Sequence, residues 1–211
     1  SVTLADNTDG AYTVTSTQAI TVANGTASSV DTITLAGAGA KTVTGAVANL
    51  SLDATNTGTT AVTTGSTGLT ITANAAAGNL TVDATALAND TVLTLSGGAN
   101  SSKTATVSNL VGDLVATSLA SALTVNLADN TGTDNAILVT TGTNTTTISG
   151  SAAGDTVSVV ASALADNVLL STAGAGGFTI TGLQGNLSNT ATGAVSVTLA
   201  DNTDGAYTVT S

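Results

Sequence analysis

The sequence predicts an all-β protein, a parallel β-solenoid or β-roll built from short strands about ten residues apart. Triplets made of an apolar residue, a Thr or Ser and a second apolar residue recur along the whole chain. Clusters of Gly, Asn, Asp and Ala separate the triplets, and Gly and Asn suit turns because they reach positive φ. Residues 1–16 also return letter for letter as residues 196–211. Such a fixed period is typical of proteins that stack repeated units.

The triplets place the strands in chain order. Alternation puts the two apolar side chains of a triplet on one face and the hydroxyl on the other, as a half-buried strand requires. With Thr in the middle, the triplets are Val2–Leu4, Tyr12–Val14, Ile20–Val22, Ile33–Leu35, Leu69–Ile71, Leu80–Val82, Leu93–Leu95, Leu123–Val125, Phe178–Ile180, Val197–Leu199 and Tyr207–Val209. With Ser in the middle, they are Leu50–Leu52, Val157–Val159 and Val195–Val197. Segment 110–127 has a weak helical pattern, and we interpret it as two strands, Leu114–Ala116 and Leu123–Val125.

Two architectures use short strands at this spacing. One is a chain of β-sandwich domains, two of which, at about 100 residues each, would fill the period. The other is a solenoid whose coils stack about 4.8 Å apart, with two or three strands in each coil. With one Phe and two Tyr in 211 residues, the core must be thin and lined by Val, Leu, Ile and Ala, which favours the solenoid. We therefore predict that residues 1–195 form one period of a continuous β-solenoid and that residues 196–211 begin the next.

Composition excludes several classes of function. A net charge of −11 argues against nucleic acid, because binding proteins neutralise phosphates with Lys and Arg. No apolar run approaches the roughly 18–20 residues of a membrane-spanning helix, so no membrane insertion is expected. The chain has no His, Cys or Arg, which removes most acid–base and nucleophilic chemistry. We predict that the protein is not an enzyme.

Pairs of Asp residues are the best candidates for a chemical site. Calcium prefers six to eight hard oxygen ligands, and short carboxylates, Asn carbonyls and turn backbone carbonyls can supply them. The candidate ligands are Asp6 with Asp9, Asp129 with Asp134, and Asp201 with Asp204. The alternative is that these segments are plain turns closed by Asx hydrogen bonds.

Segments 68–74 (GLTITAN) and 78–84 (GNLTVDA) resemble the repeats of filamentous-haemagglutinin-type β-helices. The residue alphabet also resembles that of bacterial surface-layer proteins and of giant adhesins with RTX calcium repeats. These resemblances imply an exported right-handed β-solenoid that serves as surface coat, filament or adhesin stalk, often with calcium. Segment 150–158 is nearest to the RTX pattern and adds Asp155 as a candidate ligand, although two of the glycines in that pattern are replaced.

Three further features carry weaker expectations. The string Leu-Ala-Asp-Asn occurs at 4–7, 127–130, 164–167 and 199–202, with a permuted copy at 87–90. We expect these strings to form corner turns whose Asn and Asp side chains could stack into hydrogen-bonded ladders. Lys41 and Lys103 are expected to be solvated surface charges. Outward Thr rows raise the idea of ice binding, which would need regular Thr-x-Thr spacing on one flat face, and the variable strand interval argues against it.

The function predicted from these features is mechanical. The chain would be a non-enzymatic structural repeat of an extracellular filament, sheath, surface layer or adhesin stalk at the bacterial cell surface. It would associate with copies of the same repeat by solenoid stacking. The alternative is an adhesin module of tandem β-sandwich domains made rigid by calcium. A chelator separates the two, since only the calcium-locked module should lose stability.

Overall fold

The computed structural model describes residues 1–5, 10–28, 30–74, 77–98, 102–131, 135–201 and 206–211. These residues form twenty-one strands and no helix. Every strand pairing in them is parallel, and each strand pairs with the strand two places along the chain. The chain is therefore a parallel β-solenoid with two strands in each coil, which confirms the predicted fold class. The β-sandwich alternative is wrong, because sandwiches are built from antiparallel sheets.

The odd-numbered and even-numbered strands form separate sheets. Sheet A contains β1 (Val2–Thr3), β3 (Ile20–Ala23), β5 (Lys41–Ala46), β7 (Thr60–Thr64), β9 (Leu80–Asp83), β11 (Thr104–Leu110), β13 (Ala122–Leu127), β15 (Thr146–Ser151), β17 (Leu169–Gly174), β19 (Asn186–Asn189) and β21 (Val209–Thr210). Sheet B contains β2 (Ala11–Thr15), β4 (Thr32–Ala36), β6 (Asn49–Leu52), β8 (Leu69–Ala73), β10 (Val92–Gly97), β12 (Asp113–Val115), β14 (Ala136–Thr140), β16 (Thr156–Val160), β18 (Gly177–Leu183) and β20 (Val195–Leu199). At about 4.8 Å per strand, sheet A is about 48 Å long.

The core is a thin column of aliphatic side chains between the two sheets. In sheet A, one inward row contains Val22, Val43, Val62, Val82, Val107, Val125 and Ile148 in direct register. All of them are buried. The row ends in a polar pair, where Thr172 donates a hydrogen bond to Asn189 Oδ1 at 2.8 Å. This narrow Val, Leu, Ile and Ala core is the one that the shortage of aromatic residues predicts.

All of the predicted triplets overlap strands, but several strands have no such triplet. β5, β7 and β15 begin with inward Lys41, Thr60 and Thr146, which are polar and buried. In β14, Leu138 takes the outward place that Thr holds elsewhere. The two strands expected in segment 110–127 are present as β12 and β13.

A double turn makes the longer corners of the solenoid. Between β9 and β10, Leu87 N donates to Ala84 O at 2.9 Å, and Thr91 N then donates to Ala88 O at 3.2 Å. The corner between β16 and β17 repeats this pattern, with Leu164 bonded to Ala161 and Val168 to Ala165. Asp90 and Asn167 take the same place in the second turn, with φ of 58° and 62°, a region that Asp and Asn tolerate. Strings 87–90 and 164–167 thus form corners as predicted, whereas strings 4–7 and 199–202 extend beyond the described residues.

Candidate functional site

The predicted calcium ligands fall partly outside the described residues. The residues outside the described ranges are Asp6, Asp9, Asp134 and Asp204. At least one Asp of each predicted pair is therefore not described. Asp129 and Asp201 are exposed. In the part of the chain that the structure describes, no three His, Cys, Asp or Glu side chains come together to hold a metal ion. Calcium binding at these pairs stays a prediction.

Asp155 is buried and closes a turn. Its Oδ2 accepts a hydrogen bond from Ala152 N at 2.8 Å, and its own backbone N donates to Ala152 O at 3.2 Å. Asp31, which we did not predict as a site residue, makes the same turn before β4, with Ser28 N donating to its Oδ2 at 2.7 Å. The shared sequence Asp-Thr-apolar, at 31–33 and 155–157, is the signal that could have found it.

The second carboxylate oxygen of Asp31 is buried against Gly10. Asp31 has no exposed surface, and its Oδ1 has no hydrogen-bond partner. A Cβ at Gly10 would lie 1.7 Å from this oxygen. Only glycine therefore fits at position 10, and the carboxylate lies against the backbone of the neighbouring coil.

Half-buried Asp53 and exposed Asp83 share the sequence Asp-Ala-Thr. Thr85 donates to Asp83 Oδ1 through its hydroxyl at 2.5 Å and through its backbone N at 3.1 Å, and Asn109 Nδ2 donates at 3.1 Å. These bonds hold the pKa of Asp83 below its ordinary value, with the Thr85 hydroxyl the largest cause. At Asp53, Thr55 likewise lowers the carboxyl pKa, but its backbone N–H is the largest cause.

This difference gives a testable pair of variants. We expect Thr85→Val to raise the pKa of Asp83 more than Thr55→Val raises that of Asp53, because valine keeps the backbone donor and loses only the hydroxyl. A depressed carboxyl pKa contributes stability above the unfolded value near 3.9 and loses it as pH falls through the folded value. Side-chain carbon NMR titration of both acids measures the two rises. Equal rises would contradict the assigned hydrogen bonds.

The expectation that Lys41 is a solvated surface charge is wrong. Lys41 is an inward residue of β5, and only 1% of it is exposed. Its Nζ donates to three backbone carbonyls, Ser16 O at 3.1 Å, Gly37 O at 2.8 Å and Gly39 O at 2.5 Å. Burial lowers the pKa of its amine. Lys41 therefore joins two neighbouring corners from inside the solenoid.

Sheet A carries a row of outward hydroxyl groups, which we call the hydroxyl row. Its members are Thr21, Thr42, Thr81, Thr106, Thr124, Thr147, Ser171, Ser188 and Thr210, each in register with the next except that Ala61, which has no hydroxyl, lies between Thr42 and Thr81. The row stays in register although the strand interval along the chain varies, because corners of different length absorb the variation. The adjacent outward positions are mixed, however, with Ala23, Asp83 and Asn126 among them. One row is regular and its neighbour is not, so the described strands of sheet A lack the Thr-x-Thr lattice that ice binding would need.

The charges lie mainly on the corners. Among the described strands of sheet A, only Lys41 and Asp83 are charged, and Lys41 points inward. Asp113 is the charged residue of the sheet B strands, and its Oδ1 accepts a hydrogen bond from Leu138 N at 2.8 Å. The two faces are therefore almost neutral, while the acidic charge follows the edges of the solenoid.

The C-terminal end of the solenoid exposes apolar side chains. Leu199 and Val209 are 48% and 52% exposed. Their counterparts in the first copy of the repeated segment, Leu4 and Val14, are 7% and 8% exposed. The coils that pack on Leu4 and Val14 therefore account for the burial of these residues in the first copy. This end therefore offers both unpaired strand edges and apolar surface.

A cleft lined by Asn74, Leu80, Lys103, Leu119 and Ser121 lies beside the corners of neighbouring coils. Its volume of about 10 Å³ is roughly that of a single water site. The cleft is too small for an organic substrate.

Comparison with known proteins adds no relative. No protein-family model matches the chain, and neither the curated proteins nor the solved structures gave a match. None of the described residues belongs to a helix that could cross a membrane. The functional interpretation therefore depends on the geometry above.

Proposed function

We propose that this chain is a non-enzymatic structural repeat of an extracellular filament, sheath, surface layer or adhesin stalk at the bacterial cell surface. The observation that supports it is the pair of unbroken parallel ladders, which join every strand to its neighbours along the solenoid axis. Main-chain hydrogen bonds then carry load from coil to coil. The chain can extend without any change in the thickness of its core.

The partner in this proposal is a further copy of the same repeat. An open strand edge is a template for pairing with another chain, and proteins that avoid such pairing place Lys or Pro there. This chain has two Lys and no Pro. The exposed Leu199 and Val209 add apolar surface at the C-terminal end. These features favour axial addition of coils.

The charge distribution supports a polymer that stays dispersed. Acidic corners repel one another, so two solenoids are kept from associating along their edges. Export to the cell surface is supported by the absence of Cys, which suits an oxidising compartment, and by the resemblance to filamentous haemagglutinin repeats.

Electron microscopy of a one-period chain (1–211) and a two-period chain (1–195 followed by 1–211) tests the proposal. We expect rods of equal width, with the second about twice as long, because coils add along one axis. Small-angle scattering of the same samples gives the cross-section independently. Two globules joined by a flexible segment would contradict the proposal.

Removal of divalent cations gives a further prediction. We expect the melting temperature to change by no more than about 1 °C when EDTA replaces calcium, because in this proposal the ladders and the core, and not a bound metal, hold the coils together. Calorimetry in both buffers measures the change. A fall of several degrees would show that calcium at the Asp loops contributes to cohesion.

A further inference from the structure

The repeated segment occupies opposite sheets in its two copies. Residues 1–16 contribute β1 to sheet A and β2 to sheet B. Residues 196–211 contribute to β20 in sheet B and form β21 in sheet A. β20 is the counterpart of β1, so one period contains nineteen strands. At two strands per coil, an odd number of strands leaves each period half a coil short of a whole number of coils.

The segment makes the same local contact in both positions. Tyr12 donates its hydroxyl to Ala5 O, and Tyr207 donates its hydroxyl to Ala200 O. The same tyrosine contact therefore forms whichever sheet the first strand joins.

Within one period, a second element also occurs in both directions, from sheet A to sheet B and from sheet B to sheet A. It consists of a strand that ends in a bulge, a two-residue corner, and the next strand. It occurs as β5–β6, β11–β12 and β18–β19, with Gly45, Asn109 and Gly182 at φ of 64°, 59° and 67° in the bulges. The first two examples run from sheet A to sheet B, and the third runs from sheet B to sheet A.

The second strand of this element begins with an acceptor side chain that bonds the next coil. Asn49 Oδ1 accepts from Thr70 N at 2.9 Å and Asp113 Oδ1 from Leu138 N at 2.8 Å. Asn186 Oδ1 accepts from Thr208 N at 2.9 Å. Double-turn corners likewise occur on both sides of the solenoid, at 84–91 and at 161–168. The same local sequence pattern can therefore form a corner on either side of the solenoid.

We propose that the C-terminal end binds a further copy of the period rotated by half a coil. The copy of β3 then pairs with β20 in sheet B, although β3 itself lies in sheet A. The pairing repeats the register of β1 with β3, with Val197 opposite the copy of Val22. The hydroxyl row consequently passes to the opposite face in each successive period, and the structural repeat contains two periods. This inference rests on the proposed joining of periods into one solenoid.

Spin labels in the two-period chain test the phase. The chain has no Cys. Ser188→Cys in the first period together with Thr21→Cys in the second period therefore gives one defined pair of labels. We expect the labels on opposite faces, separated by more than the roughly 10 Å between the two sheets. If the second period kept the phase of the first, both labels would lie in one row, about 5–10 Å apart along the axis.

Two pairs within one period calibrate the measurement. Ser171 and Ser188 are register neighbours in sheet A, so labels there give the short distance. Ser188 and Ser196 face outward from different sheets, so labels there give the long one. A match to the long control supports the inference. A match to the short control overturns it and leaves the proposed filament intact, whereas a broad distribution of distances overturns both.

Discussion

Replacing Thr124 by proline is expected to lower the free energy of unfolding by about 2–4 kcal/mol, from a lost ladder bond and a strained backbone. Thr124 is an outward residue of β13, which lies between β11 and β15. Proline has no N–H to donate to either neighbour, and its φ near −65° departs from that of a parallel strand. The core side chains of β13 are unchanged, so the loss reports on the backbone of this strand and not on the packing of the core.

Two matched variants separate the ladder from other effects. Thr124→Val keeps the N–H and suits a strand, so its stability should stay within about 0.5 kcal/mol of the parent. Thr210→Pro places proline in the same hydroxyl row but in terminal strand β21, which pairs on one side only. It should cost clearly less than Thr124→Pro.

Denaturant unfolding measures the change in the free energy of unfolding, and amide hydrogen exchange shows which strands lose protection. Exchange should accelerate in β11, β13 and β15 of Thr124→Pro, while β3 and β19 keep their protection, because each coil contacts only its neighbours. Equal stabilities of Thr124→Pro and Thr124→Val would mean that the ladders are not what holds the coils together.

The fold class could be predicted because the alternation of this chain is strong and local. A triplet such as Leu123–Val125 defines a strand and its buried face without reference to any other segment. The number of strands per coil could not be predicted, because it depends on which strands pair. Corner lengths hide that pairing, since two residues join β5 to β6 whereas eight join β9 to β10.

The candidate sites were harder to predict than the fold, since their chemistry depends on neighbouring coils. Asp155 lies in a segment that resembles a calcium repeat, and the sequence does not show that its carboxylate also closes a turn. Asp31 makes the same turn within a less conspicuous sequence. In the sequence, the variable strand interval argues against ice binding, although the members of the hydroxyl row are evenly spaced in the sheet.

Lys41 shows most clearly how far a composition argument can go wrong. A lysine in a chain with many acids is expected on the surface, close to a carboxylate. Here the amine is buried and bonded to carbonyl oxygens, because Gly37 and Gly39 leave their backbone open to it. No periodicity in the sequence marks this contact.

Replacing Lys41 by methionine is therefore expected to lower the free energy of unfolding by about 2–4 kcal/mol, since hydrogen bonds from a charged donor are lost and buried carbonyls stay unpaired. Methionine keeps much of the packing of the side chain. Lys103→Met is the matched control, because Lys103 is the other base and is only partly buried. It should change the stability by no more than about 0.5 kcal/mol.

The pH dependence of Lys41→Met gives an independent check. Burial lowers the folded pKa of Lys41 below its ordinary value of 10.5, so the unfolded chain binds the proton in a window where the folded chain does not. Stability contributed by this group therefore rises with pH across that window and levels off above 10.5. Lys41→Met lacks this rise, and Lys103→Met keeps it. Denaturant unfolding from pH 7 to pH 10.5 measures the slopes. Parallel slopes for the parent and Lys41→Met would show that burial does not lower the pKa of this amine.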